Sequence, residues 1–144
     1  MKYREFGKTG WNVSEIGFGA WAIGGDMWGT QDDNEFLKAL HKAVDLGVNF
    51  VDTAQGYGKR YSEEVIGKFF KERSEEIFVA TKVPSLPTQW SAPYDFDVNL
   101  IFPKEYLIKQ CEESLRRLQR DNVDVYQFHT WQLISIYRTN GLKR

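Results

Sequence analysis

The stretch NFVDTAQGYG, residues 49–58, decides how this chain is read. Asn49-Phe50-Val51 has the make-up of a buried strand. It runs straight into a carboxylate, Asp52, and then into a tyrosine, Tyr57, set between Gly56 and Gly58. A strand that only filled a core would have no need to finish beside an acid and a phenol, so this strand end presents something.

Working outward, the same kind of unit recurs. Upstream, Tyr3 to Phe6 and Trp11 to Ser14 are short alternating runs around the turn Gly7-Lys8-Thr9-Gly10, which predicts a β-hairpin. Ile16 to Ala20 predicts a first buried strand. After the glycine-rich loop from Gly24 to Gly29, Thr30 is placed to cap a helix with Asp32 and Asp33 in its first turn. The apolar face of that helix is Phe36, Leu37, Leu40, Ala43 and Val44, and Gly47 stops it.

Asn49 to Thr53 is the second strand. Ser62 then serves as a cap, with Glu63 and Glu64 behind it, for a helix whose stripe is Val65, Ile66, Phe69 and Phe70. Ile77 to Val83 is the third strand, stopped by Pro84. Pro84 to Phe102 reads as a long surface loop. Pro103 opens a third helix with Leu107, Cys111, Leu115 and Leu118 buried and Arg116, Arg117 and Arg120 on the solvated side. Val123 to Phe128 is the fourth strand. Strands alternating with helices over short links predict an α/β fold with a parallel sheet.

With 144 residues, 42% of them hydrophobic, the chain can build one compact domain. Nineteen basic residues balance twenty acidic ones, which gives no electrostatic reason to expect nucleic acid or a membrane surface as partner. A single cysteine, Cys111, cannot form an internal disulfide, and the start MKYREFGKTG has no apolar signal core, so a cytoplasmic setting is expected.

In parallel α/β sheets the site lies at the carboxyl ends of the strands. The second, third and fourth strands end on Asp52, Lys82 and His129, and Tyr57 follows in a loop on the same side. Taken singly, each residue has a structural alternative: a turn cap, a strand-end charge reaching solvent, a core histidine, a loop tyrosine. Converging on one place, they describe a catalytic group. A lysine on an apolar strand needs a carboxylate such as Asp52 beside it. Its ammonium near Tyr57 would favour the phenolate, making the phenol a usable proton donor near neutral pH.

GVNFVDTAQGYG, IFVATKV, VDVYQFH, SLRRL and the opening hairpin with GFGAW together resemble the signature segments of the aldo-keto reductase family, in order, over residues 1–131. The resemblance implies a TIM-type (β/α)8 barrel that uses NADPH to reduce aldehydes and ketones. It places the family's catalytic tetrad on Asp52, Tyr57, Lys82 and His129. Tyr57 would protonate the carbonyl oxygen, Lys82 held by Asp52 would perturb Tyr57, and His129 would orient the carbonyl. It further implies that Gly19, Ala20, Trp21 and Asp52 contact the cofactor, and that Trp21 and Trp131 line the pocket for a small-molecule carbonyl substrate. No metal site is expected.

A complete barrel of this type takes about 250 residues. The expected architecture is therefore a (β/α)4 half-barrel over residues 1–131, preceded by its hairpin, with an atypical tail at 132–144. On this reading the chain is truncated and weakly active or inactive alone; the alternative is a noncatalytic oligomeric half-barrel module with a vestigial tetrad. Phe18, Phe50, Val79 and Tyr126 are expected on an inward face left in water, and a homodimer or higher oligomer is expected to cover it and the open strand edges. Two departures from the family pattern touch loop geometry: Lys59-Arg60-Tyr61 stands where a glycine-containing turn is usual, and Phe102 where a polar cap precedes Pro103.

Overall fold

A parallel sheet of four short strands carries the fold. A computed structural model of the chain describes residues 1–23, 32–86 and 97–130. In chain order the elements are the hairpin strands β1 (Tyr3–Glu5) and β2 (Asn12–Ser14), then β3 (Phe18–Gly19), α1 (Asp33–Asp45), β4 (Phe50–Asp52), α2 (Tyr61–Lys71), β5 (Phe78–Val83), α3 (Val98–Ile101), α4 (Lys104–Leu118) and β6 (Val125–Phe128). The sheet runs β3-β4-β5-β6, parallel throughout, and β1 pairs with β2 antiparallel. The predicted hairpin and parallel β/α alternation are both present. No helix among the described residues is long and apolar enough to cross a membrane.

The register decides which side chains face the helices. Phe18, Val51 and Val79 are mutual neighbours across three strands and share one face of the pleat. That face is the packed one: Val51 and Val79 lie in a core with Leu40, Val65, Ile66, Phe69 and Leu118, and Phe18 and Phe36, edge-to-face with each other, pack against it. The expectation that Phe18, Val79 and Tyr126 would stand in water is therefore overturned. Tyr126 packs against a second cluster of Val83, Ile101 and Phe102. Only Phe50 belongs to the opposite face, and there the hairpin covers it. Phe6 lies over Phe50 with ring centroids 5.6 Å apart, and Trp11 stacks on Phe78 at 5.1 Å. The hairpin thus floors the amino-terminal end of the strands and leaves their carboxyl ends open.

Several helix boundaries fall elsewhere than predicted. Asp32, not Thr30, caps α1: its carboxylate accepts the Asn34 amide at 2.8 Å, while Thr30 lies outside the described residues. Ser62 is not a cap at all. α2 starts one residue earlier, and the Ser62 hydroxyl is buried between Thr53 Oγ1 at 2.8 Å and the Ala20 carbonyl at 3.1 Å. Gly58, Lys59 and Arg60 all take positive φ, which lets the chain turn from Tyr57 into α2 within one tight turn. A left-handed conformation at a non-glycine residue costs about 1–2 kcal/mol, so this turn is strained at Lys59 and Arg60.

The buried side of α4 is also rotated from the predicted stripe. Gln110, Ser114 and Leu118 are its buried residues, and Leu107, Cys111 and Leu115 are half-buried. Arg117, expected in solvent, is only 13% exposed, with its Nε 2.6 Å from an oxygen of Glu63, which is 0% exposed. Thr81 Oγ1 donates to the other Glu63 oxygen at 2.6 Å. A buried carboxylate without such partners would be costly, and its demand for a cation turns the helix. The stretch after Pro84 is not an uninterrupted surface loop. α3 forms within it, Ile101 and Phe102 are buried, and Tyr106 donates to the Pro84 carbonyl at 2.9 Å.

Candidate active site

Strand ends and one turn bring four polar side chains together. Asp52 closes β4, Lys82 sits one residue before the end of β5, His129 follows β6, and Tyr57 opens the turn beyond β4. The ladder continues past the strands: Thr53 N–H donates to the Ala80 carbonyl at 2.9 Å, Gln55 N–H to the Lys82 carbonyl at 3.1 Å, and His129 N–H to the Val83 carbonyl at 2.9 Å. These bonds hold the residues at one level, which no strand assignment alone would do.

Lys82 is the hub. Its ammonium reaches Asp52 Oδ2 at 2.7 Å, the Thr53 carbonyl at 2.9 Å and Tyr57 Oη at 3.1 Å. An ammonium has three N–H donors, and all three are committed. The side chain is 14% exposed against 39% for Asp52, so the carboxylate keeps water while the cation is largely enclosed. Because Tyr57 Oη accepts from Lys82, its own O–H proton is free to point elsewhere.

His129 closes the group. Its ring meets that of Tyr57 edge-on, with centroids 5.5 Å apart and planes at 85°. Burial, and after it the neighbouring Lys82 ammonium, push the imidazole pKa below its ordinary value of 6.5, against a smaller opposing pull from Asp52. The ring is therefore neutral near pH 7, with one N–H to donate and one lone pair to accept. Gly56 makes room for it: a Cβ there would stand 3.3 Å from His129 Cε1.

The remaining expected residues are placed as follows. Trp21 is 45% exposed at the rim, its ring centroid 6.3 Å from that of Tyr57. Gly19 has open space where a Cβ would stand. Ala20 is buried in the core, its N–H donating to the Asp52 carbonyl at 2.9 Å. Trp131 and the tail 132–144 lie outside the described residues. Reasoning from sequence missed the residues beneath the tetrad, Thr53, Gln55 and Ser62, all buried and all hydrogen-bonded. The available signal was Thr53 and Gln55, two polar residues directly after an otherwise apolar strand; Ser62, in α2, gave none.

A cleft of about 530 Å³ opens elsewhere, lined by Trp11, Arg73, Glu75, Arg120 and Asp124 among others and by none of the four site residues. Its cations are already engaged, Arg73 by Asp45 and Glu75 and Arg120 by the Ile77 carbonyl and Asp124, and it holds no group resembling the tetrad.

Known proteins share this chain's sequence pattern and fold. The profile described as the aldo/keto reductase family matches residues 15–137. The aldo-keto reductase YhdN of Bacillus subtilis is 37% identical over 134 residues, covering 90% of this chain and 38% of that protein. The holo form of aldo-keto reductase AKR11C1 from Bacillus halodurans superposes with a TM-score of 0.70 at 34% identity, over 89% of this chain and 40% of that one. An aldo-keto reductase from Klebsiella pneumoniae, solved in complex with NADPH, gives 0.67 at 27% identity, over 91% and 39%. The chain spans about two fifths of the length of the relatives it matches.

Proposed function

This chain belongs to the aldo/keto reductase family, and we propose that its tetrad serves the NADPH-dependent reduction of aldehyde or ketone carbonyls to alcohols. The observation that carries the reading is the Lys82 ammonium, 2.7 Å from Asp52 and 3.1 Å from Tyr57 Oη, at the open end of the sheet. Tyr57 gives its phenolic proton to the carbonyl oxygen. The Lys82 ammonium donates to the phenolic oxygen left behind, and Asp52 holds Lys82 in place. His129, neutral at working pH, donates its N–H toward the carbonyl and sets its direction. The phenolate is then reprotonated from solvent.

The residues at the mouth fit the nicotinamide end of the cofactor. Gly19 leaves open space, and Trp21 exposes an aromatic surface beside Tyr57. These two, with Asp52 and the backbone at Ala20, would hold the ring. When bound, the reduced nicotinamide supplies the hydride taken up by the carbonyl carbon. Trp21 and Trp131 are the proposed substrate-pocket residues, and the setting is a reducing cytoplasm, consistent with a chain whose one cysteine has no second cysteine to pair with.

Assembly belongs to the same reading. β3 and β6 end the sheet among the described residues, and such edges are templates for another chain. A homodimer is the proposed state; light scattering that finds a monomer across micromolar concentrations removes it. The function itself is tested by titrating NADPH fluorescence with this chain and assaying a small aldehyde. Binding with turnover supports the reading, and no binding at high micromolar cofactor overturns it for this chain.

A further inference from the structure

Two residues before Tyr57, Gln55 is 2% exposed and its primary amide is driven into the sheet-to-helix interface. Nε2 donates to the Gln110 carbonyl at 2.8 Å and to Ser114 Oγ at 2.7 Å, both on α4. A primary amide carries two N–H donors, and α4 takes both. On its main-chain side, Gln55 N–H donates to the carbonyl of Lys82 at 3.1 Å. One residue therefore joins three things: the strand that carries the lysine, a helix of fifteen residues, and the turn that carries the phenol.

A side chain that merely filled this space would be apolar. Burying an amide costs free energy unless its hydrogen bonds are made, and here one is left unmade, because Gln55 Oε1 is buried with no partner among the described residues. Leucine or methionine would occupy similar volume without that penalty. Polar choices that weaken packing locally are expected where a site needs one orientation. Tyr57 also needs fixing from behind. Its N–H bonds to the Ala54 carbonyl within the same loop, and beyond it Gly58, Lys59 and Arg60 form a left-handed run strained at Lys59 and Arg60.

Resting on the reading of Tyr57 as proton donor, we propose that Gln55 is a positioning residue. It pins the Ala54–Tyr57 loop to α4 through Gln110 and Ser114, and this holds Tyr57 Oη in register with Lys82 Nζ and with the His129 ring. Gln55 touches no substrate; it acts through Tyr57.

The test has two arms. The first needs no turnover: the cross-relaxation between the Tyr57 and His129 ring protons is measured by NMR in the native chain and in Gln55→Leu. The expected result is a cross-peak in the native chain that falls by more than half in the variant, while amide exchange in β4, β5 and α4 stays protected. An undiminished cross-peak overturns the proposal. The second arm is a kinetic cycle with Tyr57→Phe. Gln55→Leu is expected to lower kcat about 10- to 100-fold with KM unchanged when Tyr57 is present, and to lower nothing further when Tyr57 is phenylalanine. Equal losses in both backgrounds mean a general structural role and overturn it. Ser114→Ala, which removes one of the two acceptors, should fall between the native chain and Gln55→Leu in both readouts, and it stands in should Gln55→Leu not fold. A Tyr57→Phe rate equal to the native one would sink the proton-donor reading, whereas the ring-contact arm decides the placing of Tyr57 by Gln55 independently.

Discussion

Lys82 Nζ donates to Tyr57 Oη across 3.1 Å, and the same ammonium lies 4.7 Å from the centroid of the tyrosine ring. The phenol thus meets the cation through both its oxygen and its ring. Neither residue is held by the other alone: Lys82 also bonds Asp52 and the Thr53 carbonyl, and Tyr57 N–H bonds the Ala54 carbonyl.

Removing the phenolic oxygen isolates its role. Tyr57→Phe is expected to lower the reduction rate by about 10²–10⁴, the range for a lost general acid, with thermal stability near that of the native chain. Steady-state kinetics beside a melting curve checks both, and an unchanged rate rejects Tyr57 as the donor.

The two partners of the ion pair should respond unequally. Asp52→Ala leaves an enclosed ammonium with only a carbonyl and a phenol, whereas Lys82→Met leaves a carboxylate that already reaches water. A buried pair broken on one side costs about 3–5 kcal/mol; with Asp52 this exposed, about 1–2 kcal/mol is expected for Asp52→Ala and less for Lys82→Met. Urea unfolding of both variants measures the order, and the reverse order would show that the cation is better hydrated than its burial implies.

Glu63 is the most enclosed charge described, with Arg117 and Thr81 as its partners. Glu63→Ala removes the nearer of the two carboxylates facing Arg117 and leaves Glu113 at 3.7 Å, so it should destabilise the α2–α4 contact by about 1–3 kcal/mol. A midpoint shift in denaturant worth under about 1 kcal/mol would mean that Arg117 finds solvent.

His129 makes stability depend on pH in a stated direction. Its folded-state pKa lies below the ordinary 6.5 because burial and Lys82 oppose the imidazolium. As pH falls below 6.5 the unfolded chain takes up a proton that the folded chain refuses, so stability drops until the folded-state value is passed; above 6.5 this contribution is flat. His129→Gln should remove that part of the acid loss. Denaturation of the two chains between pH 5 and 8 shows it, and parallel curves would exclude His129 as the cause.

Gly67 is required by distance. A Cβ there would stand 2.1 Å from the backbone carbonyl oxygen of Arg117, and backbone cannot swing aside. Gly67→Ala must separate α2 from α4, at a cost of about 1–3 kcal/mol or more. A melting temperature equal to that of the native chain would show that the helices can part freely.

By itself, the sequence determined the order of the strands and of the three longer helices, the hairpin, and the residues at the strand ends, because hydrophobic period, Gly and Pro placement and residue type act over a few neighbours. Asp52, Lys82 and His129 were legible for that reason: each stands at or beside the end of a strand-like run. Only the tertiary structure decided which side of each strand meets the helices. Val79 and Phe18 face the core because the register aligns them with Val51, and a one-residue shift would have reversed them. It also decided that Arg117 turns inward to Glu63 and that Gln55 reaches α4 fifty-five positions away. A buried polar group must find its partner wherever packing puts one, and that search runs through space rather than along the chain.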